Sequence, residues 1–299
     1  MNNNNEKMNV ELWNDFNVSE VDSNPSTVEA YQSFQLFMEQ FAQLPKQELI
    51  KKGWMESRSD ISSLIEFYND IHMGGNKAFY RKVNNENTAM SRLWVSKVKS
   101  SAELRSLIKE MPAFDGISKQ NLKEIAQLSV DVENIIKLPN YLEELGIILI
   151  YKEALPRTKL DGAVFKIRAG NPVIGISFRY PRLDHFWFTL LHELSHICLH
   201  LDTLETPSIY DTEGIISSED QMEIQADRLA KSSFVSKQLW RNCEPKYNKN
   251  LDAIKNFAKE INIHESIVAG MLAREDGNYS LYSPILNKVN IRELIFHDE

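Results

Sequence analysis

Hydrophobic residues in the first half of the chain recur with a helical period. Between Pro45 and Leu138, and earlier over Thr27–Gln43, apolar positions are spaced three or four residues apart, which predicts a series of helices. Pro139 is predicted to end this run, because proline lacks the amide hydrogen that a helix interior needs. Residues 1–27 are rich in Asn, Ser, Asp and Glu and are predicted to be a disordered lead-in.

After residue 140 the apolar segments become shorter and strand-like. Ile147–Tyr151 is a compact apolar run, and residues 162–168 and 172–178 are apolar segments joined by the sequence Ala-Gly-Asn, which predicts one strand followed by a β-hairpin. Helical spacing then returns in Phe186–Leu201. The elements after it are predicted as a polar loop at 202–220, helices at 221–233, 251–261 and 264–274, and a tail at 279–296 with mixed strand and turn signals.

These elements predict an α+β fold. A mainly helical N-terminal half precedes a small mixed sheet, which packs on the helix of Phe186–Leu201 and on a second helix that follows it. The predicted organisation is a lead-in over residues 1–27, a helical domain over 28–139 and a further domain over 140–299.

Charge and composition narrow the class of protein. The 299 residues are 42% hydrophobic and 25% charged with a net charge of −8, which fits a globular chain and argues against a broad nucleic-acid-binding surface. The two cysteines form no disulfide framework, the N-terminal MNNNNEK has no apolar signal region, and no apolar run is long enough to cross a membrane. We therefore expect a cytoplasmic protein without membrane contacts.

The charges of residues 46–68 argue against a DNA-binding helix-turn-helix in this segment. The would-be recognition helix at 60–68 carries two acids and no Arg or Lys, so it would repel phosphates. We therefore expect no direct contact with nucleic acid.

The segment Phe186–Leu201 contains the pattern His192-Glu193-x-x-His196. On an α-helix, residues four apart lie on one face, so both imidazoles can bind one zinc ion. Glu193 lies beside that face, where it can take a proton from a metal-bound water as a general base. The helix is apolar on all sides, and buried titratable groups are costly unless something such as a metal satisfies them. The alternative is a chance match within an ordinary buried helix.

A hydrolytic zinc site needs a third protein ligand. His200 lies about 12 Å from His192 along a continuous helix, so it cannot share the ion and is interpreted as a structural residue at the helix end. Glu223, on the next predicted helix, is the preferred ligand. Asp227 is four residues further on and can accept the outer N–H of a ligand histidine. The alternative for both carboxylates is a solvated acidic helix face.

Three further side chains are candidates for contact with a substrate or a developing oxyanion. His185 precedes the apolar part of the helix, and Tyr180 and Tyr210 carry hydroxyls that can donate hydrogen bonds. The sequence does not choose among them, and a structural role fits His185 equally well.

Residues of about 140–275 resemble an ImmA/IrrE-type metallopeptidase domain. The blocks that carry the resemblance are Leu160–Ala163, Pro172–Arg179, Asp184–His196, Glu223–Ala230 and Ile267–Gly270. The resemblance implies a gluzincin-like site in which His192, His196 and Glu223 hold one zinc ion and Glu193 is the base. It also implies a bacterial or phage source, and substrates that are repressors or antitoxins. Longer relatives carry a helix-turn-helix domain that this sequence does not show.

We therefore predict a zinc-dependent intracellular protease of narrow specificity. Its expected substrate is a helix-turn-helix repressor, an antitoxin or another partner protein, cleaved in a response to stress, phage or a mobile element. The competing hypothesis is a toxin–antitoxin or regulatory protein that works by binding and has a structural or inactive metal site. That hypothesis is motivated by the helical N-terminal half, which a minimal protease does not need.

Overall fold

The computed structural model describes most of the chain beyond residue 88 and parts of the chain before it. The described residues are 45–54, 79–80, 88–155, 158–202 and 218–296, with single helical positions at 35, 38 and 41. The predictions for residues 1–27, for the proposed recognition helix and for most of the loop at 202–220 lie outside these ranges.

The chain divides into two compact units, residues 1–68 and residues 69–299. In the first unit, helix α1 (Lys46–Lys51) begins directly after Pro45 and buries Leu49. The predicted domain limits at 28–139 and 140–299 differ from the limits of these units and stay predictions.

The second unit contains a small sheet and many helices. Its elements in chain order are β1 (Phe79–Tyr80), α2 (Thr88–Ile108), α3 (Lys119–Gln127), α4 (Asn134–Glu144), β2 (Ile148–Tyr151), β3 (Gly162–Lys166), β4 (Pro172–Ile176), α5 (Leu183–His200), α6 (Ser218–Phe234), α7 (Lys237–Arg241), α8 (Leu251–Glu260), α9 (Glu265–Asp276), α10 (Tyr279–Leu286) and α11 (Ile291–Ile295). This is the mainly helical α+β fold that the sequence predicted. In the described ranges, no helix is both long and apolar enough to cross a lipid bilayer.

The described strands form one sheet in the order β1-β3-β4-β2. β3 and β4 form the predicted antiparallel hairpin, with Val164 opposite Ile174. Gly170 in the connecting turn has a φ of 90°, which a residue with a side chain rarely adopts. β2 lies parallel to β4, with Leu149 opposite Ile174. Because β4 has a partner on each side and is fully buried, its sequence is apolar on both faces.

Two glycines let helices approach the two faces of the sheet. A Cβ on Gly175 of β4 would lie 2.8 Å from the Trp94 ring of α2, and a Cβ on Gly162 of β3 would lie 2.7 Å from Glu193 Oε1 of α5. The hairpin pairs Gly175 with the residue after Gly162, and successive residues of a strand point to opposite faces. α2 therefore covers one face of the sheet and α5 covers the other.

Helix α5 lies in the core of the second unit. Most of its 18 residues are buried, and it packs against β3, β4, α3, α6 and α9. Trp187, Leu190 and Leu194 are fully buried, and each such side chain contributes about 1.5–3 kcal/mol through the hydrophobic effect. The apolar character of this helix on all sides is explained by these neighbours.

The prediction that Pro139 ends the helical run is wrong, because α4 continues through it. Proline removes the amide that would donate to the carbonyl of Ile135. The Tyr151 hydroxyl donates to that carbonyl instead, at 2.7 Å. Leu138 before the proline and Leu142 after it are also buried in the core, so packing supports the helix on both sides of the proline.

The tail that showed strand and turn signals consists of the helices α10 and α11. Asn278 and Asn290 precede these helices, and their side-chain oxygens accept backbone amides of the first turn. Inside α10, Pro284 leaves the carbonyl of Ser280 without its helical donor, and the Ser283 hydroxyl donates to it at 2.9 Å. Local side-chain hydrogen bonds therefore permit a helix where the apolar pattern does not indicate one.

Replacing Tyr151 by Phe is expected to destabilise the protein by about 1–3 kcal/mol, because the buried carbonyl of Ile135 loses its donor. Adding Pro139→Ala supplies a helical amide for the same carbonyl, so the cost of Tyr151→Phe should fall below about 1 kcal/mol in that background. The measurement is the free energy of unfolding of the two single variants and the double variant. Equal costs of Tyr151→Phe in both backgrounds would contradict this account of the helix.

Candidate metal centre

Two histidines of α5 face the same side of the helix. His192 and His196 are four residues apart, and their ring centroids are 4.7 Å apart. Their Nε2 atoms are separated by 3.1 Å, and the two residues are only 2% and 1% exposed. Buried imidazoles need polar partners, and α6 supplies one that both of them share.

Glu223 of α6 brings a carboxylate to both imidazoles. Its Oε2 lies 3.1 Å from His192 Nε2 and its Oε1 lies 3.2 Å from His196 Nε2. Burial would raise the pKa of Glu223, but hydrogen bonds from the two histidines and their charges hold this pKa well below its usual range. The carboxylate is therefore an anion near neutral pH.

The three side chains fit one metal ion by spacing and by chemistry. Their ligand atoms all lie within 4.8 Å of one another, and ligands about 2.0–2.1 Å from a tetrahedral zinc are separated by about 3.3 Å. Two imidazole nitrogens and one carboxylate oxygen are also a ligand set of hydrolytic zinc sites. Among the residues that the structure describes, no other group of His, Cys, Asp and Glu has such spacing.

Asp227 orients the first imidazole. Its Oδ1 lies 2.9 Å from His192 Nδ1, so an N–H donated by Nδ1 leaves Nε2 with a lone pair for a metal. The other carboxylate oxygen lies 3.7 Å from the Arg274 guanidinium of α9. Asp227 shares one face of α6 with Glu223 because four residues separate them. The contact between Asp227 and His192 is the one that the predicted role of Asp227 requires, as the acceptor of the outer N–H of a ligand histidine.

His200 has the corresponding position beside the second imidazole. Its Nδ1 lies 3.3 Å from His196 Nδ1, and its Nε2 lies 3.1 Å from Gln225 Oε1. One arrangement of protons satisfies all these atoms: His196 Nδ1–H donates to His200 Nδ1, and His200 Nε2–H donates to Gln225. Burial lowers the pKa of His200, which favours this neutral form.

His200 contacts a candidate ligand although it is not one of the three ligand residues. His200 lies outside the cluster of three ligand atoms, and its distance from His192 was the reason for excluding it. His200 is, however, only four residues from His196, so the two rings share a face of α5. The interpretation of His200 as a structural helix-end residue therefore missed its contact with a candidate ligand.

Glu193 lies between the metal cluster and the sheet. The residue is 2% exposed, and its carboxylate lies against Gly162 of β3. A Cβ at that glycine would be 2.7 Å from Glu193 Oε1 and 2.9 Å from Thr189 Cγ2. The missing side chain of Gly162 therefore leaves the space that the carboxylate occupies. Sequence spacing does not connect these two residues, because the contact joins a strand to a helix.

His185 and Tyr180 belong to a neighbouring cluster. Their rings are 4.6 Å apart, and His185 Nε2 lies 3.6 Å from Asp161 Oδ2. Arg179 forms an ion pair with the same aspartate at 2.8 Å. The structure places neither candidate among the metal-binding atoms, and Tyr210 lies outside the described residues. Their predicted roles as oxyanion or substrate contacts stay predictions.

Comparison with known families bears on the domain that contains the cluster. A family model for M78 peptidases, described as an IrrE N-terminal-like domain, matches residues 142–272. This chain contains an ImmA/IrrE-type metallopeptidase domain. The matched residues include the cluster, Glu193 and Asp227, and they end before Arg274. Neither the curated proteins nor the solved structures gave a match.

The family match confirms the resemblance inferred from the sequence blocks. It supports metal binding and hydrolase chemistry for the domain, and the cluster of His192, His196 and Glu223 is the place in the structure where a metal ion fits.

Replacing His200 by Ala is expected to weaken zinc binding about 10- to 100-fold, because a partner of the outer nitrogen fixes the tautomer and orientation of a ligand histidine. His200→Asn keeps an acceptor near the position of Nδ1 and should recover most of the affinity. Competition for zinc against a chelator of known affinity measures both effects without any assay of activity.

The matched control is His185→Ala, which removes another histidine of α5 that lies outside the cluster. Its zinc affinity should stay within about threefold of the original protein. If His200→Ala binds zinc as tightly as the original protein, the supporting role assigned to His200 is wrong.

Proposed function

We propose that this chain is a zinc-dependent peptidase of narrow specificity that cleaves a repressor, an antitoxin or another partner protein. One observation carries the proposal: a buried glutamate, Glu193, follows directly on a candidate ligand in a cluster that fits a hydrolytic zinc ion. The family match over residues 142–272 supports the reaction class. The proposed setting is a response to stress, phage or a mobile element.

The residues of the cluster have separate tasks in this proposal. A zinc ion bound there would polarise the scissile carbonyl and lower the pKa of a water molecule. His192 and His196 supply neutral nitrogen ligands, whose outer nitrogens contact Asp227 and His200. Glu223 supplies the anionic ligand.

Glu193 is the proposed general base. Its carboxylate accepts a proton from the attacking water and then donates it to the leaving amine, which are the two proton transfers that peptide hydrolysis requires. The close contact with Gly162 limits where this carboxylate can move. The position of the base is therefore set by the sheet as well as by the helix.

The burial of the cluster supports narrow specificity. His192, Glu193 and His196 are at most 2% exposed, whereas the side chains of Glu223 and Asp227 are 33% and 40% exposed. The exposed side of the cluster is therefore formed by α6. We propose that a substrate reaches it as an extended segment, because a folded protein surface cannot enter so enclosed a site.

The direct test is incubation of the zinc-loaded protein with helix-turn-helix proteins encoded beside it, followed by mass spectrometry of the products. Glu193→Gln is expected to reduce the cleavage rate about 10²–10⁴-fold, the usual contribution of a general base, and to retain bound zinc. Glu260→Gln, a change at an exposed glutamate of α8, should leave both properties unchanged. Cleavage that survives Glu193→Gln, or a protein that binds no zinc, would refute the proposal.

Gly162→Ala is expected to lower kcat about tenfold or more while zinc affinity is retained, because the new methyl group displaces the carboxylate of the base. Gly175→Ala is the matched control on the other face of the sheet, where the methyl group meets Trp94. It should lower the Tm but leave the kcat of the folded, zinc-loaded protein nearly unchanged. If Gly162→Ala left kcat unchanged and Gly175→Ala lowered it, Gly162 would not position Glu193.

A further inference from the structure

A groove of about 630 Å³ lies on the side of α6 that carries Gln225 and Arg228. Its walls come from α3, the end of α5, α6, α7 and α9. The basic residues of its lining are Lys119, Arg228, Lys231 and Lys237. Of the described residues that line the groove, Gln225 also contacts His200 at the metal centre.

The charge of the groove differs from that of the chain. Among the described residues that line the groove, four are basic and none is acidic, although the chain has a net charge of −8 with 42 acids and 34 bases. The nearby Glu275 is not a lining residue; it forms an ion pair with Lys246 at 2.8 Å and accepts the indole N–H of the lining residue Trp240 at 2.7 Å. A concave surface lined by one sign of charge attracts ligands of the opposite sign.

The floor of the groove is apolar. Leu229, Val235, Trp240 and Met271 are at most 8% exposed, and they lie between the basic residues of the rim. Leu199 adds an exposed aliphatic side chain at 38%. A ligand that satisfies both parts therefore carries negative charges and at least one apolar side chain.

The groove and the metal centre share a wall. Gln225 lines the groove and accepts a hydrogen bond from His200, which contacts the candidate ligand His196. Along α6, Glu223 and Asp227 contact the metal centre, while Gln225 and Arg228 line the groove. The groove and the metal centre therefore lie on different sides of α6 and are joined through the contacts of Gln225, His200 and His196.

We infer that this groove binds an acidic peptide segment that carries an apolar side chain, and so holds a protein substrate next to the metal centre. The second part rests on the proposed peptidase function, whereas the binding itself does not. The carboxylates of an acidic segment can pair with the four basic side chains, and its apolar side chain can pack on the floor. Nucleic acid fits less well, because it presents phosphates along an extended backbone and the apolar floor offers them nothing.

The test is fluorescence anisotropy with the full-length Glu193→Gln protein, so that no probe is cleaved. The probe is a fluorescein-labelled peptide of Asp and Glu residues around a central Leu-Trp pair. Arg228→Glu combined with Lys237→Glu is expected to weaken its binding at least about tenfold, and added salt should weaken binding to the unchanged groove. Lys137→Glu, an exposed change on α4 outside the groove, should alter the Kd less than about twofold.

Three results would overturn the inference: no binding of the acidic peptide, equal binding by the charge-reversed and original proteins, or tighter binding of an oligothymidylate than of the peptide. A matched peptide with Ser in place of Leu-Trp should bind more weakly, since it cannot fill the floor. If the protein binds the acidic peptide but cleaves no substrate, the binding site is supported and the peptidase function is refuted. The two proposals therefore fail separately.

Discussion

The burial of polar side chains on α5 is the constraint on which the second unit depends. Three histidines and a glutamate of this helix lie among apolar neighbours, and each polar group without a partner there costs about 1–3 kcal/mol. α6 provides the partners of the histidines: Glu223 lies between two of the imidazoles, while Asp227 and Gln225 contact outer nitrogens. The position of α6 along α5 is therefore fixed by polar contacts as well as by apolar packing, and the same contacts create the metal centre.

The first turn of α5 also buries a charged side chain that has a partner. Asp184 is 2% exposed and pairs with Arg182 at 2.6 Å, and its charge is favourable near the positive end of the helix dipole. A Cβ on Gly270 of α9 would lie 2.4 Å from Asp184 Oδ2, so only glycine lets α9 pack this closely. Sequence blocks that carry the family resemblance thus meet in space, Asp184 with Gly270 and Glu193 with Gly162. These two contacts pack α5 against α9 and against β3.

Features that depend on short sequence separations were predictable. The spacing of His192 and His196 predicts two rings on one helix face, and the apolar runs around Gly170 predict the hairpin. Pro139 was misinterpreted because its effect is offset by Tyr151, a residue of another element. The contacts of His200 were not predictable, because its partner Gln225 lies on α6. Periodicity contains no information on such contacts, and the space left by a glycine is likewise visible only once the sheet and the helix are packed.

The most direct test of the central claim is a crystal structure of the zinc-loaded protein, with anomalous diffraction measured at the zinc absorption edge. We predict a single zinc peak, bound by His192 Nε2, His196 Nε2 and a carboxylate oxygen of Glu223 at about 2.0–2.2 Å. A zinc peak bound by other residues, or zinc at this position without Glu223 among its ligands, would contradict it.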